Sequence, residues 1–176
     1  MNVGIALGSN LGDRLANLRA ARETIVDLVH QRKDSPGRAS NKASVLVSPI
    51  YETDPIGCEP GASKFLNSVL EIEYDGDPTD LLQKLIRIEE SLGRDRDHAR
   101  NVSRKIDIDL LYAGELNVEN ERLHLPHPRM HLRKFALQPL ADIRPGLILP
   151  NQTKTVLELL AQIKDSTKVI CFAEKW

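Results

Sequence analysis

The segment from Asp77 to Gly93 most narrows what this chain can fold into. Asp77 is a good N-cap, Pro78 suits the first helical position, and Asp80 favours the positive end of a helix. Leu81, Leu85, Ile88 and Leu92 recur at spacings of three and four, and Gly93 supplies the residue that most easily closes a helix. This is a helix with a single apolar stripe, so it must lie on a partner layer. The flanking sequence supplies a sheet. Val3 to Leu7 is a short apolar strand that ends in a polar turn, Gly8 to Asp13. Leu11, Leu15, Leu18, Ala21, Ile25 and Leu28 predict a second helix ending near His30. Val45 to Thr53 and Phe65 to Tyr74 read as strands, separated by a loop over 54–63 that holds Pro55, Gly57, Pro60 and Gly61. Ile106 to Leu111, where two carboxylates alternate with Ile106, Ile108 and Leu110, reads as a strand.

The order strand, helix, strand, strand, helix, strand predicts an α+β fold. Its form is a ferredoxin-like α-β-α sandwich with a mainly antiparallel sheet, in which the helices pack on one sheet face and the other face is free to carry a site. Further elements are expected as a short strand near Leu116 to Val118, a Pro- and His-rich loop from Leu123 to Pro128, and helices over Met130 to Leu140 and Thr155 to Ile163. A last strand is expected over Val169 to Phe172. The polar stretch 30–43 reads as a loop without an assigned role.

With 176 residues, a single domain spanning 1–176 is expected. A formal net charge of −1 argues against nucleic-acid binding driven by phosphate neutralisation. No apolar run reaches membrane-spanning length, and Met1 to Gly4 lacks the pattern of a secretory leader. Cys58 and Cys171 form neither a metal spacing nor a disulfide framework, so a reducing cytoplasm is the simplest compartment.

The chemistry concentrates in Asp107-Ile108-Asp109. On a strand both carboxylates project to one face and repel each other unless a cation lies between them. Hard oxygen ligands in a pair suit Mg²⁺, which commonly binds together with phosphates. A solvated strand face alternates in the same way. However, the preceding stretch carries Arg94, Arg96, Arg100, Arg104 and Lys105, a basic loop suited to phosphate because the guanidinium fork donates paired hydrogen bonds. Glu89 sits at the edge of the helical stripe, either as a ligand acceptor or as a surface partner of Arg87 or Lys84. His124 and His127 flank Pro126, where they could touch phosphate or pack a loop. Aromatics are only 4% of the chain, yet Phe65 and Asn67 should share one strand face. A ring beside an amide suits a flat heterocycle, and Phe135 could supply the opposite wall.

Several blocks in this order resemble a known family. They are Ala6-Leu7-Gly8-Ser9-Asn10-Leu11-Gly12-Asp13, Tyr51-Glu52-Thr53-Asp54-Pro55-Ile56-Gly57, Phe65-Leu66-Asn67, Arg104-Lys105-Ile106-Asp107-Ile108-Asp109-Leu110-Leu111 and Leu125-Pro126-His127. The family is 6-hydroxymethyl-7,8-dihydropterin pyrophosphokinase of folate biosynthesis, and the resemblance runs from Val3 to about Pro150. It implies a cytoplasmic enzyme that passes the terminal diphosphate of ATP to the pterin hydroxymethyl group, releasing AMP. By position, Asp107 and Asp109 would hold two Mg²⁺ ions. Gly8, Thr53, Ile56, Phe65, Asn67 and Phe135 would form the pterin pocket. Glu89, Arg94, Arg96, Arg104, Leu110, Arg122, His127 and Arg133 would surround ATP, with Arg94, Arg96 and Arg104 balancing charge during transfer. Loops 54–63 and 94–104 match the family's lids. The substrates would be small molecules, with other folate enzymes as functional neighbours. The chain departs from the family pattern ahead of Arg104: Val102 and Ser103 replace a small residue and a frequent proline, and Asn101 replaces an aromatic found in some members. The alternative reading is a non-catalytic nucleotide- or metal-binding module on the same fold. A ferredoxin-like RNA-binding module is opposed by the neutral charge and the lack of clustered sheet aromatics.

Overall fold

The computed structural model describes residues 1–33, 44–94, 103–164 and 167–176. A sheet of six strands forms the middle layer, with order β5-β1-β4-β3-β8 and with β2 pairing to β4. The strands are β1 (Asn2–Ser9), β2 (Val45–Val47), β3 (Ile50–Thr53), β4 (Phe65–Glu73), β5 (Asp107–Ala113) and β8 (Val169–Ala173); β6 (Val118–Glu119) and β7 (His124–Leu125) form a separate pair. All pairings are antiparallel. Together with helices α1 (Arg14–Lys33) and α2 (Pro78–Ser91), the first strands complete the expected ferredoxin-like order. The single strand expected over 45–53 is two strands. At the break, the Ser48 hydroxyl accepts from the Val69 N–H at 2.9 Å.

α2 forms as its caps dictate. Asp77 Oδ1 accepts from the N–H groups of Thr79 at 2.7 Å and Asp80 at 3.3 Å, a cap worth about 1 kcal/mol. At the far end Gly93 takes φ +89°. Its N–H donates to Glu90 O and that of Arg94 to Glu89 O, both at 3.0 Å, the paired bonds of a Schellman motif. α1 starts later than the apolar spacing suggested, so Leu11 is exposed in the turn before it. Leu18, Ala21 and Ile25 pack with Leu81 and Leu85 of α2 against Val3, Ile5, Leu7, Ile108 and Leu110.

The second sheet face is not free, contrary to the expectation of an open face. Helices α3 (Lys134–Ile143) and α4 (Val156–Gln162) cover part of it. Leu137 and Leu140 cluster there with Met130, Val156, Val69 and Tyr112. The C-terminal apolar stripes need a surface to bury against, and Val69, Leu111 and Tyr112 provide it. This layer explains why β4 is buried along nearly its whole length rather than on alternate residues. Among the described residues, the end of the face near Gly8, Asn67 and Asp107 forms a cleft.

Close approach fixes one glycine in this layer. A Cβ on Gly4 would lie 2.1 Å from Tyr112 Cε1. The Tyr112 ring cannot swing aside, because its hydroxyl donates to Glu71 Oε2 while Arg144 donates to Glu71 Oε1 from Nε at 2.9 Å and Nη2 at 2.5 Å. Gly4→Ala should therefore destabilise the fold by about 1–3 kcal/mol, read as a lower urea midpoint with an unchanged slope.

Candidate active site

The open end of the sheet face gathers residues from four strands. β1 and β5 pair with Gly8 opposite Asp107 and Ala6 opposite Asp109, while Gly8 also faces Asn67 across β4. Thr53 on β3 pairs with Phe65. The antiparallel register thus lines up an amide and aromatic wall on one side of Gly8 and the two carboxylates on the other. A Cβ at Gly8 would stand 3.3 Å from Asn67 Oδ1, 3.7 Å from Asp107 Cβ and 3.8 Å from Phe65 Cδ1. The missing side chain is what keeps this junction open. Phe135, near the start of α3, lines the same cleft with Asp107, Asp109 and Asn67.

The aromatic side is built from β3, β4 and α3. Asn67 is buried, and its Nδ2 donates to Thr53 Oγ1 at 2.8 Å. That bond orients the amide and leaves Asn67 Oδ1 toward Gly8.

The acidic side depends on α2. Asp107 Oδ1 accepts from Arg94 Nη1 at 2.9 Å and from Arg104 Nη1 at 3.1 Å. Arg94 reaches it because the Schellman turn at Gly93 carries the chain back over Glu89, with which Arg94 forms an ion pair. Glu89 is 4% exposed, so it is not a surface partner of Arg87 or Lys84. Its Oε1 accepts the N–H of Ile108 at 2.6 Å. β5 lies at the end of the sheet, and Ile108 separates the two acids, so Glu89 satisfies a backbone donor between them. The Arg104 guanidinium carbon lies 5.9 Å from the centroid of the Phe65 ring, which links the two halves of the cleft. Its Nε is buried with no hydrogen-bond partner among the described residues, which leaves a donor for a ligand oxygen.

This donor set fits a hard divalent cation. Burial, and after it the Asp109 carboxylate, push Asp107 above the ordinary carboxylate range, while Arg104 and Arg94 oppose the shift. Added positive charge relieves such a pair. Among the described residues no third His, Cys, Asp or Glu joins it. Two carboxylates that leave the other positions to water and phosphate oxygens suit Mg²⁺ and not a closed zinc cage.

His127 is held by its N–H to Leu111 O at 2.7 Å. Burial, with Arg133 and Arg129 adding to it, lowers the imidazole to about 4, so at neutral pH it can donate a hydrogen bond but brings no charge. The guanidinium carbon of Arg133 lies 5.5 Å from the centroid of the Phe135 ring. Three expected residues are not gathered into the cleft by their side chains. Leu110 points into the core beneath α1 and α2, Ile56 is 56% exposed in the loop over 54–64, and Arg122 is exposed in the turn before β7. Arg96 lies outside the described residues, as do Arg100, Asn101 and Val102. The sequence reading missed Asn10, which is 1% exposed and bonded to Arg104, Ser103 and Ser63. Its signal was an asparagine in the polar turn directly after the first strand.

Fold and site together define a ferredoxin-like α+β protein with a diacid–arginine cleft beside an aromatic–amide pocket. A family model described as 7,8-dihydro-6-hydroxymethylpterin-pyrophosphokinase (HPPK) matches residues 4–145, and the chain belongs to that family. A protein named 2-amino-4-hydroxy-6-hydroxymethyldihydropteridine pyrophosphokinase from Bacillus subtilis is 45% identical over 139 residues, covering 79% of this chain and 75% of that protein. One of the same name from Haemophilus influenzae is 37% identical over 161 residues, covering 92% of each. Among solved structures, an HPPK-DHPS in complex with substrates superposes with TM-score 0.60 at 13% identity, over 91% of this chain and 43% of that one. Wild-type Plasmodium falciparum HPPK-DHPS with pteroate gives TM-score 0.62 at 15% identity, over 92% of this chain and 42% of that one. The chain therefore spans less than half of each solved protein, and at these identities the likeness establishes the fold alone.

Burial, opposed by the Ile108 N–H and Arg94, pushes the Glu89 carboxyl up to about 7 from an ordinary 4.5. An acid whose folded value is raised binds more protons folded than unfolded across that window. Its stabilising contribution is thus greatest below pH 4.5 and is lost as pH rises toward 7. Glu89→Gln removes the titration and keeps an acceptor for Ile108. Urea unfolding should find the variant gaining about 2–3 kcal/mol on the wild type between the acidic and neutral ends of that range. A difference that does not change with pH would refute the assignment.

Proposed function

We propose that this chain transfers the terminal diphosphate of ATP to the hydroxymethyl group of 6-hydroxymethyl-7,8-dihydropterin, releasing AMP, as a step of tetrahydrofolate biosynthesis. Family membership supports the reaction. The observation that carries it to this chain's own residues is the junction at Gly8, where an oriented amide and two aromatic rings meet a carboxylate pair held by arginines. A flat heterocycle stacked between Phe65 and Phe135 and bonded to Asn67 would bring a substituent hydroxyl to the diacid side.

Transfer of a phosphoryl group needs alignment and charge compensation more than covalent help. The pterin hydroxyl oxygen would attack the β-phosphorus of ATP in line. The new bond forms as the bond from that phosphorus to the oxygen bridging the α-phosphate breaks, and AMP leaves with that oxygen. Asp107 and Asp109 would hold Mg²⁺, for which we propose two ions; bound there, the metal would neutralise phosphate charge and ease loss of the hydroxyl proton. Arg104, with Nη1 on Asp107 and Nε unpartnered among the described residues, would turn that donor to a phosphate oxygen, and Arg94 would act beside it. We assign Arg96 to the same group by position, and Arg122, His127 and Arg133 to the nucleotide. His127 would donate a neutral hydrogen bond, whereas Leu110 would offer backbone only. We place Ile56 and loop 54–63 over the pterin as a cover that excludes water.

We read residues 1–176 as a single catalytic domain acting on small molecules in the cytoplasm. Two free cysteines, Cys58 and Cys171, suit that reducing compartment. No helix among the described residues is long and apolar enough to cross a membrane.

Incubation with ATP, Mg²⁺ and 6-hydroxymethyl-7,8-dihydropterin, followed by nucleotide chromatography, should show AMP and pterin diphosphate rising in equal amounts. ATP bound without AMP formation would mark a binding module instead. Asp107→Ala should cut turnover by roughly 100-fold or more, and Arg104→Ala should lower kcat far more than it weakens ATP binding. Full turnover in Asp107→Ala would refute the role of the pair.

A further inference from the structure

Three segments distant in sequence meet just above the acidic strand: the turn after β1, the loop between β3 and β4, and the lead-in to β5. Asn10 stands at the centre. Its Oδ1 accepts the N–H of Arg104 at 2.8 Å, and its Nδ2 donates to Ser103 Oγ at 3.0 Å and to Ser63 O at 3.3 Å. Its own N–H donates to Arg104 O at 3.2 Å, and the neighbouring Ser9 hydroxyl donates to Lys105 O at 2.5 Å. The backbone of Arg104 is therefore pinned through both its N–H and its carbonyl. Ser103 carries the connection outward. Its hydroxyl, which accepts from Asn10, donates to Glu59 Oε1 at 2.5 Å, and its N–H donates to the same oxygen at 3.3 Å. Glu59 opens a turn closed by the Ala62 N–H on Glu59 O at 3.1 Å. The Ser103 hydroxyl, chief among several hydrogen bonds, holds the Glu59 carboxyl below its usual range, as bonding to the ionised form requires.

We propose that Glu59 and Ser103 are positioning residues that clasp the loop between β3 and β4 onto the lead-in to β5 and thereby set the Arg104 guanidinium between the pterin pocket and the acidic pair. The proposal rests on the pyrophosphokinase reading above. Asn10 fixes where the Arg104 side chain begins. The clasp fixes what lies against it, since Phe65, under the guanidinium, starts the strand that this loop enters. A long side chain with a free Nε can point several ways, and small misplacements of a charge-balancing group are costly to turnover. A proline at position 103 would have neither the N–H nor the hydroxyl from which Glu59 accepts.

The test is a double-mutant cycle on the full chain, with AMP formation followed at varied ATP and varied pterin. Glu59→Ala and Ser103→Ala should each lose about 3- to 10-fold in kcat/KM, chiefly in kcat, and the double variant should lose no more than the worse single one. Ser103→Thr, which keeps the hydroxyl, should stay within about twofold of the wild type, and all four should melt within about 2 °C of it. Wild-type kinetics in Glu59→Ala, single losses that multiply in the double variant, or losses that simply track a fall in Tm would each overturn the proposal. An unmodified chain that forms no AMP would instead overturn the underlying reading, and this proposal with it.

Discussion

Two carboxylates separated by one residue on the edge strand of a sheet form a repulsive pair, and the open rim of this protein is organised around holding them. The constraint begins in the backbone. Among the described residues β5 has a paired neighbour on one side only, and the Ile108 N–H between the acids finds its partner in Glu89, a side chain from the helix beneath. The same carboxylate takes Arg94, and Arg94 takes Asp107. One buried acid therefore fixes both the position of the edge and the charge that faces it. Burial works against Glu89 carrying charge, while the Ile108 N–H and Arg94 work in its favour, so the group stands near balance.

The Schellman turn at Gly93 connects this electrostatics to local sequence. Glycine in the left-handed region lets α2 stop and return over its own last turn, which puts Arg94 beside Glu89 and not in solvent. On the other side, the antiparallel register of β1 with β4 and β5 sets Asn67 and Asp107 on either side of Gly8. The pterin pocket and the phosphate site that we propose are thus neighbours through strand pairing, and the missing side chain at Gly8 keeps them in contact.

Much of this was legible in order and spacing. The caps of α2, the buried stripe of α1 beyond its first turn and the alternation of β5 follow from local rules that need no distant partner. The shared face of Phe65 and Asn67 follows from the two-residue period of a strand. The break at Ser48 was missed although Pro49, which has no N–H to give a strand ladder, marks it locally; the tertiary part is the Ser48 hydroxyl meeting the backbone of Val69. The cover of α3 and α4 over the second face was missed because those stripes can be recognised, but the surface that receives them cannot. Glu89 was ambiguous in the sequence, since a residue at the margin of a stripe is buried or exposed according to what lies across from it.

By itself the sequence determined the elements, their order and the chemistry each could present: an acidic strand, a basic lead-in, and an aromatic beside an amide. These rest on period, capping and side-chain type, which act within a few residues. Only the tertiary structure decided that Asn10, Ser103 and Glu59 meet around Arg104, that Glu89 bonds the backbone between the acids, and that His127 is half-buried and neutral. Hydrogen bonds between residues 19 to 94 positions apart, and the loss of solvent around a titrating group, are products of packing, and no local pattern encodes them.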